Sequence, residues 1–100
     1  MRYTTLGPMP TPLTPEQRQS LADSHAAWSI DGEEISRTFE FSDFAEAMGF
    51  VNRVALVAEK ADHHPDIDIR WNKVTLGLST HSEGALTELD QKMVETIDGW

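Results

Sequence analysis

The chain has 100 residues, no cysteine and a formal net charge of −9, from 8 Lys and Arg against 17 Asp and Glu. That length fits one domain, and 39% hydrophobic with 25% charged residues is typical of a folded globular protein. The acidic balance disfavours binding to nucleic-acid phosphates or to an anionic membrane surface. The lack of cysteine excludes disulfides, thiol catalysis and Cys-ligated metal sites. We find neither a membrane-spanning run nor a signal peptide, and we expect a cytoplasmic protein.

Prolines are concentrated near the N-terminus, where Pro8, Pro10 and Pro12 alternate with other residues. Alternating proline disfavours a helix and cannot donate to a sheet ladder. The pattern predicts an extended lead-in over residues 1–12, followed by a single domain over residues 13–100.

The first predicted helix begins after Thr14, which can act as the N-cap. Pro15 suits the first helical position, and Gln17 completes a capping-box pattern. We expect this helix to extend to about Ser24.

A β-hairpin is predicted next, because Asp31-Gly32 is a favoured two-residue turn. This turn would place Trp28 opposite Ile35. Ile35, Phe39 and Phe41 alternate with polar residues, as in a half-buried strand.

A long second helix is predicted from Ser42, a plausible N-cap, to about Ala61, shortly before Pro65. Helical spacing gives it one apolar stripe, which consists of Phe44, Ala47, Met48, Val51, Val54, Ala55 and Ala58.

A second hairpin is expected around Asn72-Lys73, with Ile69 opposite Leu76 and Trp71 in the core opposite Val74. Asn-Lys is a weaker turn signal than Asn-Gly, so a loop one residue longer is the alternative. A third helix over residues 87–98 would be capped by Thr87. The resulting order, α-β-β-α-β-β-α, predicts an α+β fold: a four-stranded antiparallel sheet with helices packed on one face.

Three of the four histidines, His63, His64 and His81, lie within nineteen residues. In the predicted register His64 lies opposite His81, and paired residues on neighbouring strands have Cβ atoms about 5 Å apart. We therefore expect these histidines to converge at the open end of the second hairpin. Two imidazoles in one pocket can supply an acid and a base near neutral pH.

Carboxylates that could orient these rings are close in sequence, namely Glu59, Asp62 and Asp90. Simpler interpretations stay open at this point. The double histidine could be solvated loop, Glu59 a solvated helix residue, and Asp90 a carboxylate placed near the positive end of a helix. His25 stands alone and is assigned no role. No nucleophile-elbow serine and no glycine-rich phosphate loop is present, so covalent catalysis is not indicated.

A zinc site is a further alternative, with the three histidines and Asp62 or Glu59 as ligands. Neighbouring residues of an extended segment point to opposite sides, so His63 and His64 would not readily share one ion. We therefore predict no metal site.

The run from Glu59 to Pro65, followed by Trp71, His81 and Asp90, resembles the signature of the pterin-4a-carbinolamine dehydratases. Five residues separate Pro65 from Trp71, nine separate Trp71 from His81, and eight separate His81 from Asp90, as in that signature. Trp71 stands where tyrosine is common in the family. The resemblance covers roughly residues 13–98.

The resemblance implies the predicted fold and the dehydration of a 4a-hydroxytetrahydropterin to the quinonoid dihydropterin, a step of tetrahydrobiopterin recycling. It implies no cofactor and no metal. His63 and His81 would be the acid/base pair, and His64 would bind and orient the pterin. The remaining signature residues would position rings, shape the turn or wall the site; they are Asp62, Glu59, Asp90, Pro65 and Trp71.

Two other functions are compatible with this resemblance. Animal members of the family also act as dimerisation cofactors of a homeodomain transcription factor, so a protein-interaction module or transcriptional coactivator is one alternative. The other is a pterin-linked role in molybdopterin metabolism. As partners we expect the pterin and further copies of the chain, in a homodimer or homotetramer, and no direct contact with nucleic acid or membrane.

Overall fold

The computed structural model describes residues 9–100. Three helices and four strands follow in the predicted order α-β-β-α-β-β-α, which confirms the α+β class. In chain order they are α1 (Pro15–Ser24), β1 (Ser29–Asp31), β2 (Glu34–Glu40), α2 (Phe44–Ala61), β3 (Asp66–Arg70), β4 (Lys73–Leu78) and α3 (Glu88–Asp98).

Most of the predicted lead-in, residues 1–8, lies outside the described residues. The part that is described lies against the loop before α3. Pro12 pairs with Thr87, and the Leu13 N–H donates to the Leu86 carbonyl at 2.9 Å. The division into a lead-in and a domain from residue 13 stays a prediction.

The four strands form one antiparallel sheet in the order β1-β2-β4-β3. Its apolar face carries Ile35 from β2 and three alternate residues of β4, Val74, Leu76 and Leu78, all buried. The same core cluster contains residues from every helix, among them Leu21 of α1, Val54 of α2 and Val94 of α3. One face of the sheet is therefore covered by helices, as the alternating strand pattern predicts.

Local capping sets the helix starts. Thr14 and Gln17 form the predicted capping box of α1. The N-cap of α2 is Asp43 and not Ser42, because Asp43 has an extended backbone and its carboxylate accepts from the Glu46 N–H at 2.8 Å. Ser42 instead donates to the Glu46 carboxylate, from its N–H at 3.1 Å and its hydroxyl at 3.0 Å.

The predicted register of the first hairpin is wrong by two residues. Ile30 lies opposite Ile35, so the turn is Gly32-Glu33. Gly32 has φ 60°, which fits glycine at the first central position of a type II′ turn. Trp28 is still buried, although it does not lie opposite Ile35.

The second hairpin also differs from its predicted register by two residues. Ile69 pairs with Val74, and the two-residue turn is Trp71-Asn72. Asn72 holds this turn because its side-chain amide donates to the Phe41 carbonyl, while the Phe41 N–H donates to the Asn72 carbonyl, both at 2.8 Å. Trp71 consequently leaves the core: it has φ 53°, and 68% of its surface is exposed.

Candidate active site

His63 and Asp90 form the buried pair of the candidate site. His63 Nε2 lies 2.6 Å from Asp90 Oδ1, and the Asp90 side chain is completely buried. A deprotonated carboxylate oxygen only accepts hydrogen bonds, so Nε2 carries the proton in this contact. The carboxylate thereby sets the tautomer of the ring and leaves Nδ1 as the nitrogen that can take up a proton.

The second oxygen of Asp90 is held by two threonines. Oδ2 accepts from the Thr80 hydroxyl at 2.7 Å and from the Thr87 N–H at 2.9 Å. Because the Thr80 proton is used in that bond, the Thr87 hydroxyl donates to Thr80 Oγ1, which lies 2.7 Å away. A buried chain of donors therefore fixes the carboxylate that holds His63.

The observed hairpin register explains why His63 and Thr80 reach the same carboxylate. Asp66 pairs with Gly77, so continuing the pairing three residues outward brings His63 opposite Thr80. Asp62 directs the chain from α2 toward the sheet, because its left-handed backbone, φ 51°, ends the helix. Asp90 enters from the first turn of α3, where it also completes a capping box with Thr87.

His64 follows His63 but has a different environment. Its Nε2 lies 2.7 Å from Glu59 Oε1, and both side chains are largely exposed. Adjacent histidines thus pair with different carboxylates, one buried and one at the surface.

His81 completes the set. It follows Thr80 in a turn that Gly84, at φ 59°, closes by donating its N–H to the His81 carbonyl. Within residues 9–100 the His81 ring makes no hydrogen bond to a side chain, and it is exposed.

A polar pocket of about 270 Å³ joins these histidines. Its lining includes Asp62, His63, His64 and His81, together with Thr80 and Leu89. The arrangement can give and take protons, because the buried His63 ring and the exposed His81 ring border one cavity. The His63 ring is in addition held by the fixed carboxylate of Asp90.

The structure brings together most of the predicted site residues. His63, His64, His81 and Asp62 line the pocket, while Glu59 and Asp90 bind the rings of two of them. Pro65, half-buried, links the double histidine to β3.

Trp71 is not brought to this pocket within the chain. It occupies the turn of the β3–β4 hairpin, whereas the histidines lie at the open end of the same hairpin.

Thr80 is the participant that sequence reasoning did not single out. Its role depends on the hairpin register, which the sequence did not determine. The pattern Thr87-x-x-Asp90 was a usable signal, since a capping box predicts that both side chains turn back toward the helix start.

A second histidine–carboxylate pair lies away from the pocket. His25 Nδ1 is 2.6 Å from Asp98 Oδ2, and Trp28 Nε1 and Arg37 Nη1 donate to Asp98 Oδ1 at 2.8 and 3.0 Å. Burial alone would raise the pKa of Asp98, but the hydrogen bonds from Trp28 and His25 and the charge of Arg37 lower the pKa below its ordinary value of 3.8.

The described residues offer no grouping of three His, Asp or Glu side chains that could hold a metal ion. Over residues 9–100 no helix is both long and apolar enough to cross a membrane.

Fold and pocket define an α+β domain with acid–base side chains at the open end of a hairpin, and comparison with known proteins identifies its family. The sequence model described as pterin 4 alpha carbinolamine dehydratase matches residues 11–100. An Acidobacterium capsulatum protein, provisionally named pterin-4-alpha-carbinolamine dehydratase, is 51% identical over 86 residues, which are 86% of this chain and 94% of that protein. A protein of the same name from Roseiflexus sp. strain RS-1 is 44% identical over 90% of this chain and 97% of its own length. The chain belongs to the pterin-4a-carbinolamine dehydratase family.

Solved structures agree with this assignment. A Brucella melitensis crystal structure, described as a transcriptional coactivator/pterin dehydratase, has a TM-score of 0.83 and 40% identity over 89% of this chain and 97% of that chain. A pterin dehydratase-like protein identified as a RuBisCO assembly factor in the alpha-carboxysome has a TM-score of 0.58 and 19% identity over 72% of this chain and 83% of that one. At that identity the second structure is evidence for the fold alone.

Proposed function

We propose that this protein is a hydro-lyase that converts 4a-hydroxytetrahydropterin to quinonoid dihydropterin and water. One observation carries the proposal: in a chain of this family, His63, His64 and His81 line a single polar pocket. A module that only binds other proteins has no need of three histidines arranged around a cavity.

The reaction requires two proton movements and no redox change. A proton leaves a ring nitrogen of the pterin, the C4a–O bond breaks, and the departing hydroxyl takes up a proton to form water. His63 and His81 are the proposed acid/base pair, since both border the pocket and one is held in a defined tautomer by Asp90. His64, Asp62 and Glu59 would bind and orient the pterin at the outer rim.

The physiological setting proposed for this activity is tetrahydrobiopterin recycling in the cytoplasm, by a homodimer or homotetramer. Large apolar side chains support assembly: Phe44 and Leu56 of α2 and Ile67 and Ile69 of the outer strand β3 are exposed.

The experiment is to generate 4a-hydroxytetrahydropterin in the presence of the purified protein and to follow dehydration by ultraviolet absorbance. We expect the rate to rise in proportion to protein concentration above the uncatalysed reaction. An unchanged rate at every protein concentration would contradict the dehydratase assignment.

Protein binding is the second candidate function. The Brucella relative is described as a transcriptional coactivator as well as a pterin dehydratase, and Leu56 is 74% exposed on α2. The two candidates differ in what they need. Dehydration depends on His63 and is insensitive to a change at Leu56 that keeps the protein folded, whereas partner binding through α2 has the opposite dependence.

A further inference from the structure

A second cavity adjoins the histidine pocket. It is a groove of about 430 Å³ between α2 and α3, within the size range of small-molecule sites, about 300–1,000 Å³. Val57, Lys60 and Ala61 of α2 and Leu89, Lys92 and Met93 of α3 form its walls. These residues follow helical spacing on each helix, so one face of α2 and one face of α3 line the groove.

The groove and the histidine pocket have two lining residues in common. His63 and Leu89 line both cavities. The His63 ring, which is proposed to move a proton, therefore borders both a polar cavity and a largely apolar one, so a molecule in contact with this ring lies close to the groove.

The charge of the groove is opposite to the charge of the protein. The chain carries a net charge of −9, yet Lys60 and Lys92 border the groove and no carboxylate of the described residues does. Neither ammonium group forms an ion pair within residues 9–100, although Arg18, Arg37 and Arg70 each do. Two lysines that form no ion pair with any other residue of the described range, at one cavity of an acidic protein, favour an anion there.

We propose that this groove binds an anionic substituent, a phosphate or a carboxylate, on a pterin whose ring occupies the histidine pocket. The inference rests on the proposed function, because the ring must lie against His63 for its substituent to reach Lys60 and Lys92. The apolar walls pack against the uncharged part of the bound pterin that reaches the groove, and the ammonium groups of Lys60 and Lys92 contact the charge of the substituent.

The test is fluorescence titration with three oxidised pterins that bind without reacting: 6-hydroxymethylpterin, its phosphate ester and pterin-6-carboxylate. At low salt we expect an anionic pterin to bind about 5- to 20-fold more tightly than the uncharged one, from two partly exposed charge contacts. A preference for the phosphate ester alone assigns the groove to phosphate, and equal preference for both anions assigns it to negative charge in general. Raising the salt should reduce the preference.

Charge-matched variants connect the preference to the groove. The double variant Lys60→Gln, Lys92→Gln should lose the preference, and the double variant Lys60→Arg, Lys92→Arg should keep it. Lys73→Gln is the control, because it removes the same charge from β4 at the turn end of the hairpin and should leave the preference intact.

The outcomes separate this inference from the proposed function. If the uncharged pterin binds and the dehydration assay is positive, but neither anion binds more tightly, the inference is overturned and the proposed function stands. If no pterin binds and dehydration is not accelerated, both fail. A preference that survives the double Gln variant would also overturn the assignment to this groove.

Discussion

Asp90 joins the start of α3 to the histidine pocket, because each of its carboxylate oxygens has a different role. Oδ1 holds the His63 ring, and Oδ2 accepts from Thr80 and from the Thr87 N–H. Hydrogen bonds to a charged group contribute about 1.5–3 kcal/mol each, so this carboxylate is firmly oriented. In the proposed reaction Thr80 is thus a positioning residue, because its hydroxyl proton is donated to Asp90, which holds the His63 ring.

We predict that Thr80→Val lowers kcat by about tenfold and leaves KM nearly unchanged, because it removes one charged hydrogen bond and keeps the side-chain shape. Steady-state kinetics of dehydration measure the split between kcat and KM. Thr80→Ser, which restores the hydroxyl, should recover most of the lost rate.

Thr75→Val is the matched control for this variant. Thr75 lies on β4, five residues before Thr80, and its hydroxyl is hydrogen-bonded to the Thr38 hydroxyl at 2.8 Å, outside the histidine pocket. An equal loss of kcat in both variants would show that Thr80 acts through general stability and would contradict its positioning role.

At the scale of single elements, capping was predictable from the sequence and hairpin register was not. The N-caps Thr14 and Thr87 bond to groups within three residues, so a short sequence window contains the signal. A hairpin can shift by two residues and keep the same faces, so alternation alone cannot choose between registers. In the second hairpin the choice depends on Asn72 and Phe41, thirty-one residues apart.

The error in the predicted hairpin register also affected the predicted site. The histidines were predicted to converge, and they do line one pocket. The predicted pairing of His64 with His81 was wrong, because the observed register brings His63 opposite Thr80 instead. The hydrogen bond from Thr80 to Asp90 therefore could not be predicted from the sequence.

Trp71 offers a test of the observed turn. It adopts a left-handed backbone that costs a residue other than glycine about 1–2 kcal/mol, and its ring is exposed. We predict that Trp71→Gly changes the free energy of unfolding little or raises it by up to about 1 kcal/mol. Glycine adopts the positive φ without steric strain, but it loses more backbone entropy than tryptophan when the chain folds. Urea unfolding measures the change.

Trp28→Ala is the comparison variant, because Trp28 is only 3% exposed. Its truncation to alanine should lower the free energy of unfolding by about 3–5 kcal/mol. If Trp71→Gly destabilises the protein as much as Trp28→Ala does, Trp71 belongs to the core and the observed turn is wrong. Activity of the Trp71→Gly variant tests the expectation, drawn from the family resemblance, that this residue walls the site.

Asp98, in the last turn of α3, is hydrogen-bonded to His25 at the end of α1, to Trp28 just before β1 and to Arg37 of β2. We predict that Asp98→Asn lowers the free energy of unfolding by about 2 kcal/mol at pH 7, because Trp28, His25 and Arg37 lose a charged acceptor. The folded-state pKa of Asp98 is lowered, so its contribution is fully present above the ordinary pKa of 3.8 and is lost as the pH falls through the lower folded-state value.

Urea unfolding of both proteins from pH 7 down to pH 3 measures this difference. The gap between wild type and Asp98→Asn should narrow only below about pH 4. Asp23→Asn, at an exposed carboxylate of α1, should leave the stability nearly unchanged at every pH. An Asp98→Asn variant as stable as the wild type at pH 7 would contradict the proposed charge contacts.

At the scale of the whole molecule, the exposed apolar side chains of α2 and β3 favour burial against a partner surface. In a domain of 100 residues, a second copy is the simplest partner that buries them. We predict a solution mass of two or four times the 11.2 kDa of one chain, measured by size-exclusion chromatography with light scattering.

Two variants locate that interface. Leu56→Glu changes the exposed face of α2, and Ile69→Lys changes the outer strand β3. At least one should lower the mass, because a buried unpaired charge is unfavourable in an interface. A wild-type mass of one chain at micromolar concentration would contradict assembly.

The central claim is that the histidines of the pocket move the protons of pterin dehydration, and one comparison tests it most directly. It measures kcat for 4a-hydroxytetrahydropterin dehydration in the wild type, His63→Ala, His81→Ala and His25→Ala, each checked for folding by circular dichroism. His25 is the control, because it forms an equally short bond to a carboxylate, 2.6 Å, outside the pocket. We predict losses of about 10²–10⁴ in kcat for His63→Ala and His81→Ala, with the His25→Ala rate close to that of the wild type. Wild-type kcat in both pocket variants, or a wild-type rate no faster than the uncatalysed reaction, would contradict the account.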